Sequence, residues 1–262
     1  AGEALIFRTA GSSTQRVVDR AFRQAGLEPR PAMLLETRDG VCEAVAKELG
    51  PNCIAVPQDI STVDGCKALT AIMAEHESGI DILVNNAGAA WGESFETFPE
   101  AGWDKVMDLN VKSIFFLTQA MHGQLKAGGS DEQPAKVINI ASIDGLRLNP
   151  WETYSYQASK AAVINLTKRL AARLVKDGIL VTGIAPGAFA SEMNKAARDL
   201  GDIVGQHVPA GRIGNDEDMA GVAIYLASRA GNYVVGETIA VDGGVVHAFL
   251  TESWEVDPSG AH

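Results

Sequence analysis

Residues 136–187 read KVINIASIDGLRLNPWETYSYQASKAAVINLTKRLAARLVKDGILVTGIAPG, and this stretch decides the fold. An apolar run, Lys136–Ile140, opens it and a second, Leu180–Ile184, closes it; helical periodicity fills 151–177 between them. Strand, helix, strand in that order is a βαβ unit, which makes the two strands parallel. Both runs are apolar at consecutive positions, as strands covered on both faces must be. Working outward, further runs lie at Ala4–Phe7, Ala32–Leu35, Cys53–Val56, Ile80–Val84 and Thr238–Val241. Helical segments lie near 12–25, 39–49, 62–77, 101–127 and 215–228. Seven strands joined by crossovers predict an α/β, Rossmann-like, doubly wound parallel sheet. No linker or repeat divides the chain, so residues 1–262 are expected to form a single domain. GGSDEQPAK (128–136) reads as a polar loop, and 245–262 as a C-terminal tail.

Composition narrows the function. The 22 Lys and Arg against 33 Asp and Glu leave a net charge of −11. That balance disfavours nucleic acid, whose phosphates are bound by basic residues, and anionic membrane surfaces, which recruit basic clusters. No apolar run is long enough for a transmembrane helix. The opening AGEALIFRTAGSSTQR carries Arg8 inside its apolar stretch and does not read as a signal peptide. Cys42, Cys53 and Cys66 are odd in number and contain no C-x-x-C, which fits reduced thiols and a cytoplasmic protein. The five histidines offer no ligand pair at metal-binding spacing, so no metal site is expected.

The chemistry centres on Tyr156 and Lys160, one helical turn apart and therefore on one face. A free phenol ionises near pH 10. Lowering that by about three units takes roughly 4 kcal/mol, which a lysine ammonium in a partly dry cleft can supply. Tyr154 is off that face and reads as pocket wall. Ser142 ends one strand, Asn85-Asn86-Ala87-Gly88 ends another, and Pro186-Gly187 follows a third. Asn110 sits in Asp-Leu-Asn-Val (108–111) within a helical stretch. Open α/β sheets bind ligands at the carboxyl ends of their strands, where most of these residues fall.

Taken together, N-N-A-G (85–88), the Asn110 motif, Ser142, Y-x-x-x-K (156, 160), P-G (186–187) with Ser191-Glu-Met193, and V-D-G-G (241–244) resemble a short-chain dehydrogenase/reductase. The resemblance runs from about residue 38 to 246. LVNNAGAAWGESFE, GWDKVMDLNVKS and VINIASIDG look most like 3-oxoacyl-carrier-protein reductases. The resemblance implies NADP(H)-dependent reduction of a small-molecule ketone of the 3-oxoacyl kind, with NAD as the alternative cofactor. Tyr156 would donate the proton, Ser142 would hold the carbonyl oxygen, Lys160 would lower the phenol's pKa and bind the nicotinamide ribose, and Asn110 would anchor a water relay. Asp59 would touch adenine, Asn86, Ala87 and Gly88 would line the adenosine ribose, and Pro186 and Gly187 would join the cofactor site. Asp59 beside a helix N-cap and Gly88 in a turn are the plainer readings of those two. A homodimer or homotetramer is also implied, with the helices at 101–127 and 151–177 at its interfaces.

The first 37 or so residues depart from the family. Where T-G-x-x-x-G-x-G is expected, the chain reads Thr9-Ala10-Gly11-Ser12-Ser13-Thr14-Gln15-Arg16. Ala10, Thr14 and Arg16 stand where glycines make the turn, admit the pyrophosphate and allow helix–strand packing. Gly11 and Ser12 still offer helix-start amides to an anion, and Arg38 suits a 2′-phosphate while Glu36 opposes it. Residues 11–50 also resemble a fragment of the effector-binding domain of LysR-type regulators. Three readings stay open: a reductase, a chimeric α/β scaffold with impaired cofactor binding, and a small-molecule-binding module.

Overall fold

The computed structural model describes residues 4–8, 30–36, 53–191 and 194–248. The helices expected near 12–25 and 39–49, the turn at 9–16 and the tail from 249 lie outside the described residues. The elements in chain order begin with β1 (Ala4–Arg8), β2 (Arg30–Glu36), β3 (Cys53–Pro57), α1 (Val63–His76) and β4 (Ile82–Asn85). Next come α2 (Glu100–Met107), a π-helical turn (Asp108–Lys112), α3 (Ser113–Ala120), α4 (His122–Gly128) and β5 (Ala135–Ile140). The chain continues through α5 (Tyr154–Leu174), β6 (Ile179–Pro186), α6 (Lys195–Asp199), α7 (Gly201–Gly205), α8 (Asp216–Ala227) and β7 (Thr238–Val241). The sheet is parallel throughout, in the order β3-β2-β1-β4-β5-β6-β7. The order reverses between β1 and β4, so a crevice opens at their carboxyl ends.

The period-two alternation of the strands sorts side chains onto two faces. Leu83, Val137, Ala141 and Val181 pack with Leu117, Met121 and Val163 on one face. Ile82, Ile138 and Ile184 pack with Met219, Ala220 and Leu226 of α8 on the other. Asn85 and Asn139 fall on the first face and are buried. They form a ladder: Asn85 Nδ2 donates to Asn139 Oδ1 (2.8 Å) and to Thr118 Oγ1 (3.3 Å), and Asn139 Nδ2 donates to Thr167 Oγ1 (2.9 Å). β4, β5, α3 and α5 are thereby fastened together just below the crevice. Cys66, buried on α1, has its thiol pushed up to about 11, chiefly by burial, which makes it a poor nucleophile.

The helical expectation near 101–127 is met from Glu100 to Gly128, with a π turn at Asp108–Lys112 and Met121 at φ −84°, ψ 3° between α3 and α4. The stretch 151–177 is helical only from Tyr154, and its last turn, Val175–Asp177, is 3₁₀. Before Tyr154 the chain is held open by an Asx turn, in which Trp151 N donates to Asn149 Oδ1 (2.9 Å). The segment after Pro186, which carried no helical signal, forms the short α6 and α7.

At the amino ends of the strands, Asp177 accepts from Arg173 Nη1 (2.7 Å) and His122 Nε2 (2.9 Å), with Lys126 Nζ at 3.5 Å. The Arg173 hydrogen bond, then that of His122, holds its carboxyl down at about 2, against an ordinary 3.8. A depressed carboxylate stabilises the fold above its unfolded pKa, and this contribution is lost as pH falls from about 4 towards 2. Asp177→Asn is therefore expected to lower the melting temperature at neutral pH, less so in high salt, and to leave it unchanged near pH 2. Calorimetry at the two pH values checks this.

Candidate active site

The carboxyl ends of β4, β5 and β6 deliver the predicted residues to one place. Ser142 follows β5, and Tyr156 and Lys160 lie on the first two turns of α5. The buried face of α5 runs through Ser155, Ser159, Lys160, Val163, Ile164, Thr167, Leu170, Ala171 and Leu174, a helical stripe that turns these polar residues inward. Lys160 Nζ donates to the Ile140 carbonyl (2.9 Å) and stands 5.6 Å from the Tyr156 ring centroid. Ser142 lies near enough to the Tyr156 phenol to draw its pKa down, and Ser142 Oγ accepts from Asp144 N (3.1 Å).

Asn110 enters from the π turn. Its Oδ1 accepts from Ala89 N (2.7 Å), and its Nδ2 donates to Ala89 O (2.9 Å) and to Ser159 Oγ (2.9 Å). Ser159 Oγ in turn donates to Tyr156 O (2.7 Å). Both amide protons of Asn110 are thus taken by protein acceptors. A π turn adds a residue to the helical circuit, and here the added residue lets Asn110 reach across to the loop after β4. A Cβ on Gly88 would lie 3.4 Å from Asn110 Oδ1 and 3.7 Å from Lys160 Nζ, so the backbone at 88 lies over both groups.

The β6 end is equally tight. Gly187 N donates to Val241 O (2.9 Å), and a Cβ at Gly187 would come within 2.7 Å of Asp242 Cα, a close approach that glycine permits. The Asp242 carboxylate accepts from Gly244 N (2.9 Å) and Val246 N (2.7 Å) and fixes the following turn. Asp59, exposed past β3, accepts from Ser61 N (2.9 Å) just ahead of the N-cap Thr62, so the plainer turn role is present. Asn86 N donates to Val84 O (3.1 Å) as the chain leaves β4. Gly11, Ser12 and Arg38 lie outside the described residues, as do Glu192 and Met193. Tyr154 sits at the rim: its hydroxyl donates to Glu152 Oε1 (2.7 Å), and its ring meets Phe95 and Phe98 edge-on at 5.9 and 5.7 Å.

The Tyr156 phenol stands above its ordinary value. Burial is the main cause that pushes its phenol up to about 12, Asp144 adds to the rise, and the Ser142 hydrogen bond opposes it. Lys160 Nζ lies 5.6 Å from the ring centroid and donates to the Ile140 carbonyl. Asp144, half-buried beside them, is itself raised by burial. A titration of tyrosinate absorbance is expected to show one of the four tyrosines ionising at about 12. Tyr156→Phe should remove that class, and Ser142→Ala should move it higher. Ser159 and the Ile140 carbonyl were not identified from sequence. Ser159 was open to detection, being one turn from Ser155 and inside the Y-x-x-x-K motif; a carbonyl leaves no sequence signal.

Among the described residues, no group of three or more His, Cys, Asp or Glu is placed to hold a metal ion, and no helix is long and apolar enough to cross a membrane.

Comparison with known proteins gives the same picture. The enoyl-(acyl carrier protein) reductase family model matches residues 16–246. The rhamnolipids biosynthesis 3-oxoacyl-[acyl-carrier-protein] reductase of Pseudomonas aeruginosa is 39% identical over 242 residues, covering 90% of this chain and 93% of that protein. The 2-dehydro-3-deoxy-D-gluconate 5-dehydrogenase of Dickeya dadantii is 37% identical over 228 residues, covering 84% and 86%. Among solved structures, the Pseudomonas aeruginosa RhlG/NADP active-site complex superposes with a TM-score of 0.87 at 35% identity, covering 94% of this chain and 97% of that one. A gluconate 5-dehydrogenase from Burkholderia cenocepacia, in complex with NADP and tartrate, gives 0.83 at 29% identity, covering 95% and 96%. With its parallel sheet, its crevice and these relatives, the chain belongs to the short-chain dehydrogenase/reductase family.

Proposed function

We propose that the protein is an NADP(H)-dependent reductase of a small-molecule ketone, of the 3-oxoacyl class. The observation that carries this reading is the convergence of Ser142, Tyr156, Lys160 and Asn110 at one crevice, through direct contacts and Ser159. Gly88 supports a nicotinamide cofactor there, because its bare backbone leaves the Asn110–Lys160 floor uncovered. NADP in two superposed relatives supports the same cofactor, and NADH in a third, the Brucella melitensis reductase, keeps NAD as the alternative. Lys160, Gly88, Asn86, Ala87, Pro186 and Gly187 would hold it, with Asp59 at the adenine end and Gly11, Ser12 and Arg38 at the phosphates.

The bound cofactor supplies a hydride to the carbonyl carbon. The chain's own part is the proton. Tyr156, kept protonated through neutral pH by its burial, holds the proton that the carbonyl oxygen takes. Ser142 holds that oxygen: its Oγ accepts from Asp144 N–H through one of its two lone pairs, which orients the hydroxyl, and its own proton is the donor to the carbonyl oxygen. The Lys160 ammonium, over the ring, offsets the negative charge left on the phenol. Trp103, Phe115 and Tyr154, apolar and exposed on α2, α3 and α5, support self-association into a homodimer or homotetramer, which light scattering tests.

Titration with NADPH, followed by nicotinamide fluorescence, tests the reading. Saturable binding in the micromolar range supports it; no binding at millimolar cofactor sinks it. The second reading, a chimeric scaffold, rests on the sequence departures at Ala10, Thr14 and Arg16. Under it, glycine restored at 10, 14 and 16 would create cofactor binding that the parent lacks.

A further inference from the structure

We infer that Gly145 is a positioning residue for ketone reduction: its missing side chain sets how closely Ser142 approaches the Tyr156–Lys160 turn. This rests on the proposed reductase reading. After β5 the chain makes a 3₁₀ turn, Ile143–Gly145, capped by Ser142 itself. Gly145 N donates to Ser142 O (3.0 Å), and Leu146 N to Ile143 O (2.8 Å), so the turn moves with Ser142 as one piece. The outer end of that piece lies flat on α5. A Cβ at Gly145 would stand 2.5 Å from Lys160 C, 2.6 Å from Lys160 O and 2.7 Å from Ala161 N. All three are helix backbone atoms, inside the longest helix described, and they cannot rotate aside.

The inner end is fixed too. Ile140, two residues before Ser142, receives the Lys160 ammonium through its carbonyl. Lys160 therefore grips the strand by its side chain on one side of Ser142 and receives the turn on its backbone on the other. With β5 held, a methyl group at 145 has one way to make room, which is to lift the turn, and Ser142 with it, off α5. Ordinary carbon contacts need on the order of 1 Å more than the space present, and a misplacement of about 1 Å at a reacting centre costs about a hundredfold in rate.

The test is steady-state reduction of a 3-oxoacyl thioester with NADPH by the full chain and by Gly145→Ala, Ser142→Ala and the double variant. Gly128→Ala serves as a control: its Cβ would meet Ile80 O at 2.3 Å, an equally severe clash at the amino ends of the strands. Gly145→Ala is expected to lose about a hundredfold in kcat with the KM for NADPH unchanged. In the Ser142→Ala background it should lose no more than twofold, since Gly145 acts through Ser142. Gly128→Ala should lower the melting temperature and leave kcat alone. The inference is overturned by equal losses in both backgrounds, by a parallel rise in the KM for NADPH, or by a Gly145→Ala chain that fails to fold while Gly128→Ala folds. A wild-type chain that binds NADPH but turns over no ketone sinks the reductase reading instead, which is a separate outcome.

Discussion

Tyr156→Phe is expected to lower kcat for ketone reduction by about a thousandfold while leaving the protein folded and able to bind NADPH. The substitution removes one oxygen. The ring stays, in a site already pressed by burial hard enough to hold the phenol at about 12. Phenylalanine therefore suits the pocket's packing and removes a polar atom that the pocket solvates poorly. The structural loss is limited to the phenol's interaction with Ser142. The chemical loss is the proton itself: Lys160 Nζ is engaged with the Ile140 carbonyl, and the Ser142 hydroxyl, an alcohol, is a much weaker acid than a phenol. Kinetics at saturating cofactor, with a melting curve alongside, decide the matter. Activity within tenfold of wild type would remove Tyr156 from the role assigned to it.

Asn110→Leu has the second large expected effect, and it falls on stability as well as rate. Asn110 is 1% exposed and clamps the Ala89 peptide from both sides. Leucine keeps the same branched heavy-atom skeleton, though bulkier, but leaves the Ala89 N–H and C=O without these partners. Each partly buried orphan costs about 1–3 kcal/mol, so a loss of about 3 kcal/mol is expected, a large share of a typical domain's stability. The urea midpoint measures it, and faster exchange of the Ala89 amide locates it. Asn110→Asp, which keeps the acceptor and loses the donors, should fall between the two. An unchanged midpoint would mean that the π turn holds the loop without its side chain. Ketone reduction should fall with Asn110→Leu, because the loop after β4, whose Gly88 lies over Lys160 Nζ, loses its anchor at Ala89.

How far the site was legible in sequence follows from what each signal depends on. The strands were legible because a sheet covered on both faces must be apolar at successive positions, and Lys136–Ile140 and Leu180–Ile184 are. Tyr156 and Lys160 were legible because four residues make a helical turn. The π turn at Asp108–Lys112 was not, for DLNVKS contains neither proline nor glycine; the partner of Asn110 is Ala89, 21 positions upstream. The direction of the Tyr156 shift was not legible either. Spacing places a lysine one turn away but does not say how deeply the phenol is buried, and burial is the largest cause of its shift. Gly145 is one of 27 glycines, and only the packing of its turn on Lys160 and Ala161 distinguishes it.

The buried Asn85–Asn139–Thr167 ladder has a consequence for how the chain finds its sheet. Asn139 and Asn85 pair because β4 and β5 meet with those residues side by side. A slip of β5 by one position would turn Asn139 to the opposite face, among Ile184, Met219 and Leu226, where its amide would find apolar neighbours. The ladder therefore acts as a proofreader of strand alignment, charging a misaligned sheet for each amide it strands while the aligned one satisfies them all.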